Sequence, residues 1–414
     1  MNTPDFAPTD SGNARAVIEE HFPGLWPAVD AALSTAATIL LEDNANPVAL
    51  IFMDGPSTSK TTVADMLVGH PMTYRSDHFT PAAFVSHAAN VEASKLGKVD
   101  LLPKIRHKLF ITPELAPIFR GKEDDLTKSF SIITRVLDGR GLTSDKGTHG
   151  QRGHVGDYMF AWLGCTTPFS RKVWDVMGQL GSRLIFYRTS EKSKEVSVSD
   201  LLEDSAGLAY IKRLALCRES VQAFLTQLLA PGARGVTWPA VDPELVRKWI
   251  AQLAVAVAMT RSTPGSSTMN GDYIEAQREL PLRIHAILTN FARGHALVHG
   301  RTQLAEADLP VVAKVAFDSM PAGIGPVFAA RVRKGSRLTT ADVKAALGIV
   351  ADDPARRVMQ DMNWRGVMVL ESEGPPPKPA YLDFLSGPKW TWTTDPALKS
   401  WLMGGIATPS KVEV

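Results

Sequence analysis

A lysine and a threonine, Lys60-Thr61, close a run of small residues, Gly55-Pro56-Ser57-Thr58-Ser59. Residues of these types at this spacing can enclose an anion. Small side chains let backbone N–H groups close around a phosphate, and a helix opening at Lys60 adds the partial positive charge of its N-terminus. The Lys60 ammonium then reaches the β- and γ-phosphates of a nucleotide. The Thr61 hydroxyl holds the accompanying Mg²⁺, and Thr62 completes the candidate set. Ser59 stands where such a loop normally has its second glycine. If that position needs a positive φ, serine carries a cost that glycine would not. A strand–turn–helix connection with a chance Lys-Thr is the alternative reading.

The elements on either side suit the chemistry. Val48–Met53, VALIFM, has the length and composition of a buried strand, and Lys60–Leu67 reads as a helix. Other strands must end nearby, because ligands of parallel sheets lie beyond the carboxyl ends of the strands. Met72–His78 reads as a second strand; Asp77 and His78 at its end either lie near the phosphates or form a polar turn. Thr80 and Pro81 would open a helix over Phe79–Ala89. Lys108–Ile111 is a short apolar strand followed by Thr112-Pro113-Glu114. Glu114 could orient a water and share the Mg²⁺ shell, or be a surface acid; Pro113 sits where an aspartate is often found. Tyr158–Leu163 is a third buried strand, leading to Gly164-Cys165-Thr166-Thr167. A Gly-Ser-Arg sequence, Gly181-Ser182-Arg183, precedes a fourth apolar strand ending at Arg188.

Between these strands the sequence changes character. Leu126, Phe130, Ile133 and Leu137 fall at helix spacing within Gly121–Asp138. The following stretch, Gly139–Gly156, is rich in glycine and locally basic, with Arg140, Lys146, His149, Arg152 and His154. It suggests a β-hairpin with a flexible tip.

In this order of motifs, residues 48–188 resemble the core of an AAA+ P-loop ATPase, of the helicase-like kind found in phages, prophages and plasmids, with a likeness to MCM helicases. The resemblance implies an α/β fold with a parallel sheet, a helical lid, ATP and Mg²⁺ as cofactors, and assembly into a homo-oligomeric ring such as a hexamer. By that likeness Thr166 or Thr167 senses the γ-phosphate, and Arg183 reaches the γ-phosphate of the neighbouring subunit. The hairpin carrying Lys146, His149 and Arg152 projects into the ring pore toward DNA. The helix holding LPLRIHAILTNFARGHALVHGR resembles the MCM-type lid, where Arg283 would read the nucleotide; a solvated helix arginine is the alternative. Arg293, His295 and Arg301 read as surface or lid-packing residues.

The chain would then divide into an N-terminal helical segment (1–45), the ATPase core (46–195), the lid (196–330) and a winged-helix-like C-terminal domain (331–414). Residues 1–14 look loosely attached, and Ala16–Leu41 is helical with a break near Pro23 and Pro27. In the tail, Thr339 and Asp342 cap a helix through Leu347, and a second helix runs from Asp353 to Met362. Gly366–Glu371 and Trp390–Thr393 read as wing strands about a proline-rich turn. Such a domain contacts DNA through Arg356, Arg357 and Gln360, or docks a protein partner.

Composition narrows the field. The net charge of +2 over 414 residues allows only local nucleic-acid contact, and two cysteines give neither a disulfide framework nor a zinc cluster. The N-terminus lacks a signal-peptide layout and no run has the length of a membrane span, so a cytoplasmic protein is expected. The leading reading is an oligomeric ATPase that moves or remodels a polymer, most simply DNA. The second is a regulatory or defence-system protein that assembles on ATP, hydrolyses it weakly and docks a partner. A small-molecule kinase is a third, disfavoured by the long helical lid and the tail.

Overall fold

Strand β1 (Val48–Met53) is buried at every position, as a strand paired on both edges and covered on both faces must be. It lies fourth in a five-stranded parallel sheet ordered β2-β3-β6-β1-β7. The other strands are β2 (Thr73–Arg75), β3 (Leu109–Thr112), β6 (Ala161–Thr166) and β7 (Leu184–Tyr187). An antiparallel hairpin of β4 (Gly141–Lys146) and β5 (Gly150–Val155) is inserted before β6. This computed structural model describes residues 11–85, 99–146, 150–181, 183–189, 198–199, 207–238, 241–263, 266–267, 273–274, 278–385 and 389–403. The segment expected to be loosely attached lies mostly outside that set, and helix α1 already begins at Gly12.

The chain forms two compact units, the first from Met1–Phe169, Arg183–Pro243 and Thr289–Ala305. It holds the sheet with α1 (Gly12–His21), α2 (Trp26–Ala37), α3 (Lys60–Met66), α4 (Leu101–Ile105) and α5 (Glu123–Val136). The second comprises Ser170–Ser182, Glu244–Leu288 and Glu306–Val414. It begins with α6 (Arg171–Leu180); α7 (Tyr210–Leu228) belongs to the first unit and α8 (Glu244–Arg261) to the second. Helix α9 (Leu282–Val298) gives its first residues to the second unit and the rest to the first.

Several expected boundaries shift. Strand β6 starts three residues later than the apolar run Tyr158–Leu163 suggests and continues to Thr166, in register with Met53 of β1. Gly164 is what permits this. A Cβ there would stand 2.3 Å from a Leu115 methyl and 2.8 Å from an Ile51 methyl, so the glycine marks close packing within a central strand. The helix expected over Phe79–Ala89 is only a short 3₁₀ turn at Pro81–Ala83, and its last residues lie outside the described set. The core beneath it is aromatic. Phe79, Phe84, Phe110 and Trp162 meet at centroid distances of 5.3–6.4 Å, mostly edge to face. The Trp162 indole N–H donates to Thr112 Oγ1 at 2.8 Å.

The second unit continues with a two-residue strand pair, β8 (Ser266–Ser267) and β9 (Tyr273–Ile274), then α10 (Leu309–Asp318) and α11 (Ile324–Lys334). Its C-terminal part runs β10 (Leu338–Thr339), α12 (Thr340–Leu347), α13 (Asp352–Trp364), β11 (Met368–Glu373) and β12 (Lys378–Phe384), with sheet order β10-β12-β11. Thr339 and Asp342 form a reciprocal capping box at the start of α12, as their spacing predicts. The second wing strand is Lys378–Phe384, directly after the proline turn; the expected strand at Trp390–Thr393 is a 3₁₀ turn preceding α14 (Pro396–Leu402). The physical reason is burial. Trp390 and Trp392 pack against Phe328, and Trp392 against Trp249, leaving neither free to alternate across a wing. No helix among the described residues is long and apolar enough to cross a membrane.

Within the first unit, Arg234 clamps Asp157 with two bonds of 3.0 Å, and His107 adds a third at the same distance. Hydrogen bonding to Arg234, then to His107, brings the Asp157 carboxyl from 3.8 down to about 2. A carboxylate with a lowered folded-state pKa stabilises fully above its unfolded value and loses that contribution as pH falls through the folded value. Asp157→Asn should therefore lower the melting temperature at neutral pH, with the deficit vanishing between about pH 4 and pH 2. A deficit that persists unchanged at pH 2 would mean the ion pair is not its source.

Candidate phosphate-binding site

The loop from β1 to α3 turns within Asp54–Ser59. To do so, Ser57 and Ser59 both adopt left-handed backbone, at φ 62° and 61°. The position usually held by glycine thus has the conformation that makes glycine usual, with a serine in it. The loop is tied internally. Asp54 Oδ1 accepts from the Gly55 N–H at 2.8 Å, and the Thr58 hydroxyl donates to the Gly55 carbonyl at 2.9 Å. Thr189, just beyond β7, donates its hydroxyl to the Thr58 carbonyl at 2.7 Å. No local sequence pattern pairs two residues that far apart.

Lys60 closes the loop. Its ammonium donates to the Asp54 carbonyl and the Thr58 hydroxyl, both at 2.9 Å, and to the Gly55 carbonyl. Burial pushes its pKa down, while the charges of Asp54 and, among weaker contributors, Glu114 push it up. A phosphate would offer better acceptors than these carbonyls and would draw the ammonium toward itself. Pro56, Ser57, Ser59 and Thr61 are exposed at the mouth, whereas Gly55 and Thr58 are half-buried. Thr62 is turned elsewhere: it is buried, with its hydroxyl 3.0 Å from that of Tyr210.

Neighbouring strand ends converge on the same edge of the sheet. Met53 is paired with Thr166, and the Asp54 N–H donates to the Thr166 carbonyl at 3.2 Å. On the other side of β6, the Leu115 N–H donates to the Cys165 carbonyl at 2.8 Å. This places Glu114, Thr166 and Asp54 on adjacent chain segments. Glu114 is exposed, and one carboxylate oxygen accepts from the Ala116 N–H at 2.8 Å. The Thr166 hydroxyl is buried and bonded to the Thr167 carbonyl at 3.1 Å, so Thr167 is the more open of the two. Burial pushes the Cys165 thiol up to about 12, which disfavours its thiolate. Asp54 is the acid that sequence reasoning passed over; its place directly after an apolar strand was the available signal.

Arg183 stands at the opposite end of β7 from Thr189, only 5% exposed, and donates through Nε and Nη2 to Asp138 Oδ1 at 3.0 and 2.7 Å. Within the single chain it is an internal partner of a carboxylate. Arg283 belongs to the second unit, where a Cβ on Gly181 would lie 3.0 Å from its Nη1. In the hairpin, Arg152 is half-buried, His154 bonds Asp100 at 2.8 Å, and His149 and the Lys146 side chain lie outside the described set.

The sheet, the loop and the strand ends define a mixed α/β protein of P-loop NTPase-like architecture. No family model matches the chain, and no curated protein matches it. Among solved structures, the chain is similar to a crystal structure described as a "putative ATPase" from Cytophaga hutchinsonii. The alignment covers 74% of this chain and 86% of that one, at 12% identity and a TM-score of 0.37. Likeness at that level carries no functional weight, and the class follows from the loop and sheet themselves.

Two outcomes follow from this geometry. A left-handed non-glycine residue costs roughly 1–2 kcal/mol, partly offset by the freedom glycine has when unfolded. Ser59→Gly should raise stability in urea unfolding by about 0.5 kcal/mol; a loss instead would show that the serine side chain supports the turn. Arg183→Ala strands a partly buried carboxylate and should lower stability by about 2 kcal/mol in the same measurement. Unchanged stability would mean the pair with Asp138 does not persist in solution.

Proposed function

We propose that the chain binds ATP with Mg²⁺ at the Asp54–Thr62 loop and hydrolyses it. The carrying observation is the closed loop itself: a left-handed turn from a buried strand into a helix, with the Lys60 ammonium turned inward onto the loop's own Asp54 carbonyl and Thr58 hydroxyl. Lys60 would pair with the β- and γ-phosphates. Thr61, with Asp54 and Glu114 nearby, would supply oxygen ligands or hydrogen bonds to the Mg²⁺ shell. The ion neutralises charge on the phosphates when bound. Glu114 would orient the attacking water, and Thr167, aided by Thr166, would sense the terminal phosphate.

The finer reading is an AAA+-type ATPase working as a homo-oligomer on a polymer, with DNA the class that a basic hairpin suits. The sheet order, with β1 between β6 and β7 and a hairpin inserted before β6, favours it. The C-terminal order β10-β12-β11 with α12 and α13 supports a winged-helix-like domain. A second reading, ATP-dependent assembly with weak hydrolysis and docking of a protein partner, is favoured by particular observations. Ser59 strains the loop, Pro113 supplies no acid, and Arg183 is engaged internally. Arg356 in α13 pairs with Asp352 and Asp353, which makes that helix start acidic and poorly suited to phosphate contacts.

Titration of ATP–Mg²⁺ into wild-type and Lys60→Ala protein tests the common core of both readings. Affinity should fall roughly 100-fold, the loss expected for charge-assisted bonds to phosphate. Equal affinities in two folded proteins would overturn the proposal. Turnover by the wild type, measured with and without DNA, then separates a motor from an assembly switch.

A further inference from the structure

Far from the loop in sequence, three side chains of the first unit meet at one point. Asp30 lies on α2, His295 on α9 and His299 just past its end. We infer that Asp30, His295 and His299 bind one transition-metal ion of the zinc class.

The distances carry the inference. Asp30 Oδ2 is 3.3 Å from Nε2 of His295 and 3.3 Å from Nε2 of His299. That is long for a charge-assisted hydrogen bond, which closes to about 2.7–2.9 Å. It equals the edge of a tetrahedron whose metal–ligand bonds are about 2.0–2.1 Å, an edge of roughly 3.3 Å. The donor atoms of all three residues fall within 4.8 Å of one another. The two imidazoles are four residues apart on consecutive turns, with ring centroids 4.4 Å apart, and both direct Nε2 to the same carboxylate oxygen. His-x₃-His spacing on a helix is a recurrent zinc-ligand arrangement.

Burial supplies an independent observation. Asp30 sits among Val29, Ala31, Ala32 and Leu33 of α2, all fully buried, where a carboxylate is costly unless compensated. Its other oxygen, Oδ1, is buried with no hydrogen-bond partner among the described residues. A buried acceptor left in that state calls for a ligand, and a cation reached by both oxygens would satisfy it. The His299 side chain is 32% exposed, which gives an ion an entry path and leaves a position for water as a fourth ligand. Two imidazoles and one carboxylate suit zinc and its first-row neighbours, whereas Mg²⁺ and Ca²⁺ prefer all-oxygen shells. The site is therefore chemically separate from any Mg²⁺ that accompanies a nucleotide. An ion here would cross-link the N-terminal helix α2 to the end of α9, closing a long loop of chain.

The test uses the full chain stripped with a chelator and dialysed, then titrated with Zn²⁺ by calorimetry and with Co²⁺ by visible absorption. The expected result is one ion per chain, a rise in melting temperature on adding zinc, and the intense visible bands of four-coordinate cobalt. His299→Ala removes a half-exposed ligand and should keep the fold while weakening zinc binding by more than about 10-fold. His295→Gln provides a second variant, and its thermal unfolding in the absence of metal reports whether it folds. Two results would overturn the inference. One is a stripped wild type that takes up neither ion stoichiometrically. The other is a folded His299→Ala protein with wild-type zinc affinity, which would place the ion on other residues or leave the cluster as an ion pair alone.

Discussion

The structure depends on a backbone constraint: the chain must leave β1, reverse through a short loop and enter α3 within Asp54–Ser59. A right-handed backbone throughout cannot make that turn, so Ser57 and Ser59 go left-handed. The strain persists because the surroundings hold the loop from every side. Lys60 grips two carbonyls and a hydroxyl from within, and Thr189 grips the Thr58 carbonyl from just beyond β7. The parallel sheet makes this possible. Its register brings the ends of β1, β3 and β6 to one edge, where Asp54, Glu114 and Thr166 gather around the loop.

The near-neutral charge of the chain also has a structural meaning. Many of its arginines are internal. Arg183 holds Asp138, Arg234 holds Asp157, and Arg293 holds Asp43 while its guanidinium lies 5.2 Å over the Trp238 ring. In the second unit Arg331 holds Asp383 and Arg365 holds Asp361. A planar guanidinium suits this work, because its fork matches a carboxylate and its face packs on an aromatic ring. The same residues, seen as a string of letters, invite assignment to ligands.

That explains how much was legible in the sequence. Local physics fixes β1, the loop, α3, the core face of α5, the hairpin and the capping box of α12, and each was readable from composition and period. The end of β6 was not, because Gly164 looked like a terminator when it is a packing requirement set by Leu115 and Ile51. Trp390 and Trp392 read as a wing strand by β-propensity, but burial against Phe328 decides their conformation. The partners of Arg183, Thr58 and His295 lie 45, 131 and 265 residues away, and no spacing rule reaches them. Asp30 was hidden for the same reason: one acid in an apolar helix gains chemical meaning only when two histidines fold onto it.

The proposed phosphate site is the Asp54–Thr62 loop. A crystal structure with a non-hydrolysable ATP analogue and Mg²⁺ tests it most directly. The expected result is phosphate oxygens within hydrogen-bond distance of the backbone N–H groups around Ser57–Thr61, with Lys60 Nζ drawn off the Asp54 and Gly55 carbonyls onto the phosphates. Nucleotide bound elsewhere, with Lys60 still donating to those carbonyls, would contradict it.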